Sequence, residues 1–252
     1  MSAINLPRQG QYSLRTEGID YRNLEIFYRY RSVKEICPQG RGRCLDLGAR
    51  DSNFKQFLID QGYDYVGMDI DYHPSLQVVG DGCSLPFQDS SFECVVLAQV
   101  LEHVFDPRAA VREAARVLKP GGVLVGGVSF LEPYHNSFFN LSHRAVEKLI
   151  TEAGFVNIRI EAGVTGVVLI LARILGLLGS KNLRLFSTTG RLLFPVKYLL
   201  KTGYTLMRLK NRLMGRDLKD FEHNVRDHYE ALALSIAGHI LFRASKPQLQ
   251  PS

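Results

Sequence analysis

Residues 44–54, CLDLGARDSNF, decide the fold of this 252-residue chain. An apolar segment ends in Asp46 and Gly48, and a helical pattern that closes at Gly62 follows, as in the strand–loop–helix unit of a nucleotide-cofactor site. Position 50, where such loops commonly have another glycine, is arginine. The later glycines that make room for a pyrophosphate are absent, which disfavours a dinucleotide-dependent oxidoreductase.

Strand-like and helical segments alternate on both sides of this loop. Further apolar, strand-sized segments are 65–71, 76–81, 92–99, 123–130, 155–163 and 232–245. Helical patterns cover 21–36 and 52–62, and others follow the capping residues Asp106 and Ser142, the first of them ending at the Pro-Gly-Gly of 120–122. This alternation predicts a parallel sheet that is covered on both faces, with a ligand at the carboxyl ends of its strands.

Acidic residues stand at the ends of the first three predicted strands. Asp46 lies at the end of the first, Asp69 ends the second, and Asp81 ends the third. One carboxylate at the position of Asp69 can accept hydrogen bonds from both hydroxyls of a ribose. A carboxylate at Asp81 can accept from the exocyclic amine of an adenine. The ordered series predicts a site for an adenosine.

Four motifs together resemble the class I S-adenosylmethionine (SAM)-dependent methyltransferases of the type-11 branch. They are CLDLG, YVGMDID, REAARVLKPGG and the longest, GDGCSLPFQDSSFECVVLAQVLEHVFDP. The resemblance covers about 40–163 and the last strand. It implies a doubly wound α/β sheet of seven mostly parallel strands, with the last antiparallel, and a bound SAM. It implies cofactor contacts at Asp46 and Gly48 (methionine part), Asp69 (ribose), Asp81, Gly82 and Cys83 (adenine), and Gln99 (pocket lining).

Arg50 departs from the family pattern, which has glycine there. One hypothesis is that its guanidinium contacts the carboxylate of the cofactor, a charge-assisted contact that glycine cannot make. The alternative is a solvated loop residue in a weakly binding loop. The departure also keeps open a non-catalytic binding or scaffolding protein with the methyltransferase fold.

Candidate groups for the acceptor side follow the fourth and fifth strands. An oxygen acceptor must lose a proton, and the candidate bases are Glu102, His103 and His135. Tyr134 and Phe139 are candidate walls of the acceptor pocket. The alternatives are that Glu102 and His103 cap and orient the next helix, and that the others are ordinary loop and packing residues. Residues 129–155 resemble a subgroup associated with cell-envelope glycan or lipid modification, which implies a small or lipid-linked acceptor.

A basic, apolar segment makes the chain positively charged. Residues 162–216 contain ten of the 31 lysines and arginines and none of the 25 acidic residues. Basic side chains among Leu, Phe, Tyr and Met are typical of a helix in a membrane interface. The alternatives are a helical lid or a homodimer surface. Nucleic-acid binding is disfavoured by the aliphatic content.

The resulting domain prediction has four parts. They are an N-terminal extension and helix (1–39), the SAM-binding core (40–163), the basic helical insertion (164–216), and the final helix, strand and tail (217–252). The four cysteines lack CxxC spacing and the first 18 residues lack an apolar stretch. Both features predict a cytoplasmic protein with reduced thiols and no zinc site, peripheral on the cytoplasmic face of a membrane if the insertion binds lipid.

Overall fold

A computed structural model describes residues 31–50, 54–132, 136–166, 169–170, 194–218 and 233–248. Seven strands form one sheet in the order β3-β2-β1-β4-β5-β7-β6. Their bounds are β1 Gly42–Leu47, β2 Tyr63–Asp69, β3 Val78–Val79, β4 Phe92–Ala98, β5 Leu118–Ser129, β6 Val156–Thr165 and β7 Ala237–Ser245. Strands β1 to β5 are parallel, and β7 is antiparallel to both β5 and β6. The predicted fold class is confirmed.

Helices lie on both faces of this sheet. The described helices are α1 Val33–Ile36, α2 Phe54–Asp60, a 3-10 turn Leu101–His103, α3 Pro107–Val117, α4 His143–Glu152 and α5 Phe194–Leu213. The predicted caps are present: Asp106 Oδ1 accepts from the N–H of Ala109 at 3.0 Å, and Ser142 Oγ accepts from that of Ala145 at 3.4 Å. Of the predicted helix 21–36, the structure describes only the part after Arg31, which contains α1.

The start of β5 differs from the prediction. Helix α3 ends at Val117 and β5 begins at Leu118, five residues earlier than expected. Leu118 pairs with Phe92, and a register shift follows before Val123 pairs with Cys94. This irregularity accommodates the residues of 120–122, with Gly121 at φ +79°. Strand pairing therefore overrides a sequence that is typical of a break.

Two layers of apolar side chains bury the sheet. One layer, which includes Leu45, Leu97 and Phe242, packs under α3 and α4. The other includes Cys44 and Val96 and packs under α1 and α2. All four cysteines are free thiols. Within the described ranges, none of the helices has the length and hydrophobicity needed to cross a bilayer.

Candidate active site

The loops after β1, β3 and β4 meet around Gly48 at the carboxyl edge of the sheet. The N–H of Gly48 donates to Met68 O at 2.8 Å, and Gly48 has φ +76°. A Cβ atom at Gly48 would lie 2.5 Å from Val100 Cγ2, and one at Gly82 would lie 3.4 Å from Leu47 Cδ2. The first glycine is therefore required by both backbone conformation and close approach.

Asp69 closes the end of β2 with both carboxylate oxygens. Its Oδ2 accepts from the N–H of Arg50 at 3.1 Å, and its Oδ1 accepts from the N–H of Asp71 at 3.1 Å. Each carboxylate oxygen has a second lone pair, so the group can accept two more hydrogen bonds. That capacity fits the two hydroxyls of a ribose.

The loop after β3 is shaped by Asp81. Its Oδ1 accepts from the N–H of Cys83 at 2.8 Å, which closes a short side-chain turn. The thiol of Cys83 donates to Asp106 O at 3.4 Å and ties this loop to the start of α3. Burial and the nearby Asp81 raise the pKa of this thiol, so it stays protonated near neutral pH.

Arg50 takes part in the site through its backbone. Its N–H binds Asp69, and its carbonyl accepts from Ser75 Oγ at 3.0 Å. Its φ of +23° is one that glycine adopts more easily. These contacts hold the first loop against the end of β2, and the role of the guanidinium stays a prediction.

Asp46 is buried within β1 at 1% exposure. Its Oδ2 accepts from the Tyr65 hydroxyl at 3.1 Å. This contact fixes the carboxylate near the carboxyl end of β1, two residues before Gly48. Its predicted contact with the methionine part of the cofactor stays a prediction.

A polar cluster at the ends of β4 and β5, which we call the Ser129 cluster, was not predicted in full. It consists of Gln99, Ser129, Glu132 and His239. Ser129 Oγ lies 2.6 Å from Gln99 Oε1 and 2.9 Å from Glu132 Oε2, and it donates to one of them at a time because a hydroxyl has one proton. His239 Nε2 lies 2.9 Å from the same Glu132 oxygen. A carboxylate that orients an imidazole in this way is a common device for proton transfer.

Gln99 is the one predicted member of the cluster. Its φ of +58° is unusual for a residue with a side chain and costs roughly 1–2 kcal/mol. The N–H of Gln99 donates to Gly127 O at 2.8 Å, which holds the turn in place. Such strained residues are concentrated at functional sites.

The other predicted acceptor-side residues have different positions. Glu102 is fully buried, and its Oε1 accepts from the N–H of Ser129 at 2.9 Å. Its carbonyl accepts from the N–H of Phe138 at 2.9 Å, so it joins the turn after β4 to the loop after β5. His103 and Phe139 are exposed. Tyr134 and His135 lie outside the described residues.

Glu102 gives a pH-dependent prediction. Burial raises the pKa of its carboxyl above the ordinary value of 4.5. The folded state then favours the protonated acid, so the free energy of unfolding falls as pH rises from 4.5 through the folded pKa. Glu102→Gln stays neutral and still accepts from the N–H of Ser129. We expect the free energy of unfolding of this variant to lack the fall with pH that Glu102 causes. Urea unfolding of both proteins at a series of pH values measures it.

The control for this measurement is Asp64→Asn, an exposed carboxylate on β2. It should leave the shape of the wild-type curve of stability against pH unchanged. A Glu102→Gln curve that runs parallel to the wild-type curve over the same range would show that the buried carboxyl titrates normally.

Comparison with known proteins agrees with this geometry. The profile of a methyltransferase domain matches residues 45–126. An uncharacterised protein of Methanocaldococcus jannaschii is 30% identical over 155 residues, which are 54% of this chain and 75% of that protein. A demethylmenaquinone methyltransferase of Corynebacterium efficiens is 55% identical over 47 residues, 19% of this chain and 20% of that enzyme. The chain thus spans a small part of this second relative.

A solved structure of the same fold is the [4+2]-cyclase SpnF. It has a TM-score of 0.52 and 16% sequence identity, and the match covers 86% of this chain and 80% of that one. At this identity the likeness concerns the fold alone. The residues of the site, not the sheet, therefore carry the functional argument.

Proposed function

Because the chain belongs to the class I SAM-dependent methyltransferases, we propose that it transfers a methyl group from SAM to a small or lipid-linked acceptor. SAM supplies a methyl group on a sulfonium sulfur, a carbon that is already activated for displacement. The residues of the chain have to bind SAM and the acceptor, align the two and exclude water. Such positioning can lower the activation barrier by about 7–11 kcal/mol. The observation that carries the proposal is the convergence of the loops after β1, β3 and β4 around Gly48, beside the end of β2.

The proposed cofactor contacts follow from this convergence. Asp69 would accept from the ribose hydroxyls, and Asp81 with Gly82 and Cys83 would bind the adenine edge. Asp46, Gly48 and Gln99 would surround the methionine part. The remaining lone pairs of Asp69 fit the ribose hydroxyls of an adenosyl group.

Substitution of Arg50 tests the proposed contact with the methionine part of the cofactor. We expect Arg50→Gly to weaken binding of the demethylated product, S-adenosylhomocysteine, about tenfold, because a charge-assisted contact with its carboxylate is lost. Isothermal titration calorimetry measures the change. Glycine relieves the backbone strain at φ +23°. Unchanged or tighter binding would therefore exclude a role for the guanidinium.

The acceptor is proposed to lie over the Ser129 cluster. Glu132 and His239 have side-chain exposures of 14% and 13%, so the pair is largely shielded from water. The pair would take up the proton that an oxygen or nitrogen acceptor releases, with Glu132 orienting the imidazole. His103, in the 3-10 turn after β4, and His135, which lies outside the described residues, remain the alternative bases.

The proposal of a lipid-linked acceptor is supported by helix α5. Leu206, Leu209 and Leu213 fall on one side of this helix, and all three are more than half exposed, at 61%, 51% and 79%. Arg208 and Arg212 are one turn apart on another side. Exposed aliphatic and basic sides are typical of a helix that lies in a membrane interface. We propose that α5 binds an anionic membrane and brings the site to its acceptor.

A single substitution on α5 tests this surface. We expect Leu213→Ser to reduce binding to phosphatidylglycerol vesicles about thirtyfold, because a leucine side chain contributes about 2 kcal/mol when it leaves water. Flotation of the protein with vesicles measures the bound fraction. The control is Ile59→Ser, an exposed aliphatic residue on α2, which should bind like wild type. A wild-type protein that does not float and is a stable dimer would favour the dimer surface instead.

The test of the function uses SAM labelled in its methyl group. Label should move to a lipid fraction of a bacterial extract, or to demethylmenaquinone, which the name of the corynebacterial relative makes a rational acceptor to include. Thermal shifts should occur with SAM and not with NAD. A protein that binds SAM and moves no label to any fraction would be the non-catalytic binding protein.

A further inference from the structure

A cavity lies on the sheet, apart from the carboxyl edge. It has a volume of about 190 Å³ and lies between β6, β7 and the residues around α1. Its lining residues are Arg31, Glu35, Ile36, Cys37, Arg159, Glu161, Leu241 and Arg243. Arg243 is four residues along β7 from His239 of the Ser129 cluster, a distance of about 13 Å. The arginine end of the cavity therefore lies away from the Ser129 cluster, although Leu241, two residues from His239, also lines the cavity.

Two arginines face each other in this cavity. Arg159 of β6 and Arg243 of β7 are directly opposite in the strand register, and both side chains line the cavity. Like charges at directly opposite positions destabilise a strand pair. In the part of the chain that the structure describes, neither guanidinium forms an ion pair or hydrogen bond. The two guanidinium groups thus have no carboxylate in direct contact, although Glu35 and Glu161 line the same cavity.

The carboxylates of the cavity are already engaged by a third arginine. Arg31 forms an ion pair with Glu161, and both side chains are 12% exposed. Arg31 Nε also lies 3.5 Å from Glu35 Oε2. The lining therefore has three guanidinium groups and two carboxylates, a net charge of +1, and the carboxylates are paired with Arg31 and not with Arg159 or Arg243.

We propose that this cavity binds a phosphate group, free or as a phosphate ester, between Arg159 and Arg243. Guanidinium groups bind phosphate oxygens through paired N–H donors, and a dianion offsets the repulsion between two of them. The phosphate would link β6 to β7 on the face that α1 covers. Nothing in the methyl transfer proposed above requires this site.

Calorimetric titration of the full chain with inorganic phosphate and with glycerol 3-phosphate, at constant ionic strength, tests the proposal. We expect saturable binding, weakened about tenfold by Arg159→Gln or Arg243→Gln. Tighter binding of one of the two compounds identifies whether the natural ligand is free phosphate or an ester. The control is Arg112→Gln, an exposed arginine on α3, which should bind like wild type.

Thermal unfolding in phosphate-free buffer provides a second readout. Each single variant should unfold at a higher temperature than wild type, because the repulsion between Arg159 and Arg243 is removed. Phosphate should raise the unfolding temperature of wild type more than that of the variants. Absence of saturable binding by wild type, or full binding by the double variant, would overturn the proposal.

Discussion

We expect Asp69→Ala to weaken binding of S-adenosylhomocysteine by at least a hundredfold. The carboxylate is proposed to accept both ribose hydroxyls, and each hydrogen bond to a charged group contributes about 1.5–3 kcal/mol. The substitution also frees the N–H groups of Arg50 and Asp71, which now bind the carboxylate oxygens. Both effects act on the same loop, and calorimetric titration measures their sum.

Two matched variants separate these effects. Asp71→Ala removes an exposed carboxylate two residues away and should leave affinity unchanged, because its backbone N–H still reaches Asp69. Asp69→Asn keeps one acceptor oxygen and should lie between wild type and Asp69→Ala. If Asp69→Ala bound S-adenosylhomocysteine with wild-type affinity, Asp69 would not bind the ribose. The interpretation of the three aspartates as one cofactor site would then be wrong.

The sheet could be predicted because its signals are local. Apolar runs of strand length, each followed by a helical pattern, predict a parallel sheet, and each run is recognised from neighbouring residues alone. The start of β5 could not be predicted in this way. Its first residues include Pro120 and Gly121, which are typical of a break, and only the pairing of Leu118 with Phe92 makes them part of a strand.

The cofactor side and the acceptor side of the candidate site also differ in how far the sequence alone predicts them. Asp69 is the last residue of β2 and Asp81 comes two residues after β3, so their place at one edge of the sheet follows from the rule that parallel strands end at one edge. Ser129 and His239 are 110 residues apart and meet only because β7 inserts antiparallel beside β5, with these two residues in register. The Ser129 that ends β5 was the available signal, since a polar residue at a strand end marks this edge.

Arg116 should contribute strongly to the stability of the loop between β3 and β4. We expect Arg116→Met to lower the free energy of unfolding by about 3 kcal/mol. The guanidinium donates to Phe87 O at 2.8 Å, to Leu85 O at 2.9 Å, to Asp89 Oδ1 at 2.7 Å and to both oxygens of Glu113 at 2.8 Å. Its hydrogen bond lowers the pKa of the Glu113 carboxyl. Methionine fills similar volume and donates none of these bonds, and urea unfolding measures the loss.

The same variant should also weaken S-adenosylhomocysteine binding, although Arg116 is not a proposed cofactor contact. Residues 85–89 are separated from Asp81, Gly82 and Cys83 by Ser84 alone, so releasing them from α3 should loosen the proposed adenine site. Arg116→Lys keeps the charge without the planar fork and should recover only part of both losses. Arg112→Met, an exposed position on the same helix, is the control for helix propensity. Normal stability in Arg116→Met would show that the loop is held from elsewhere.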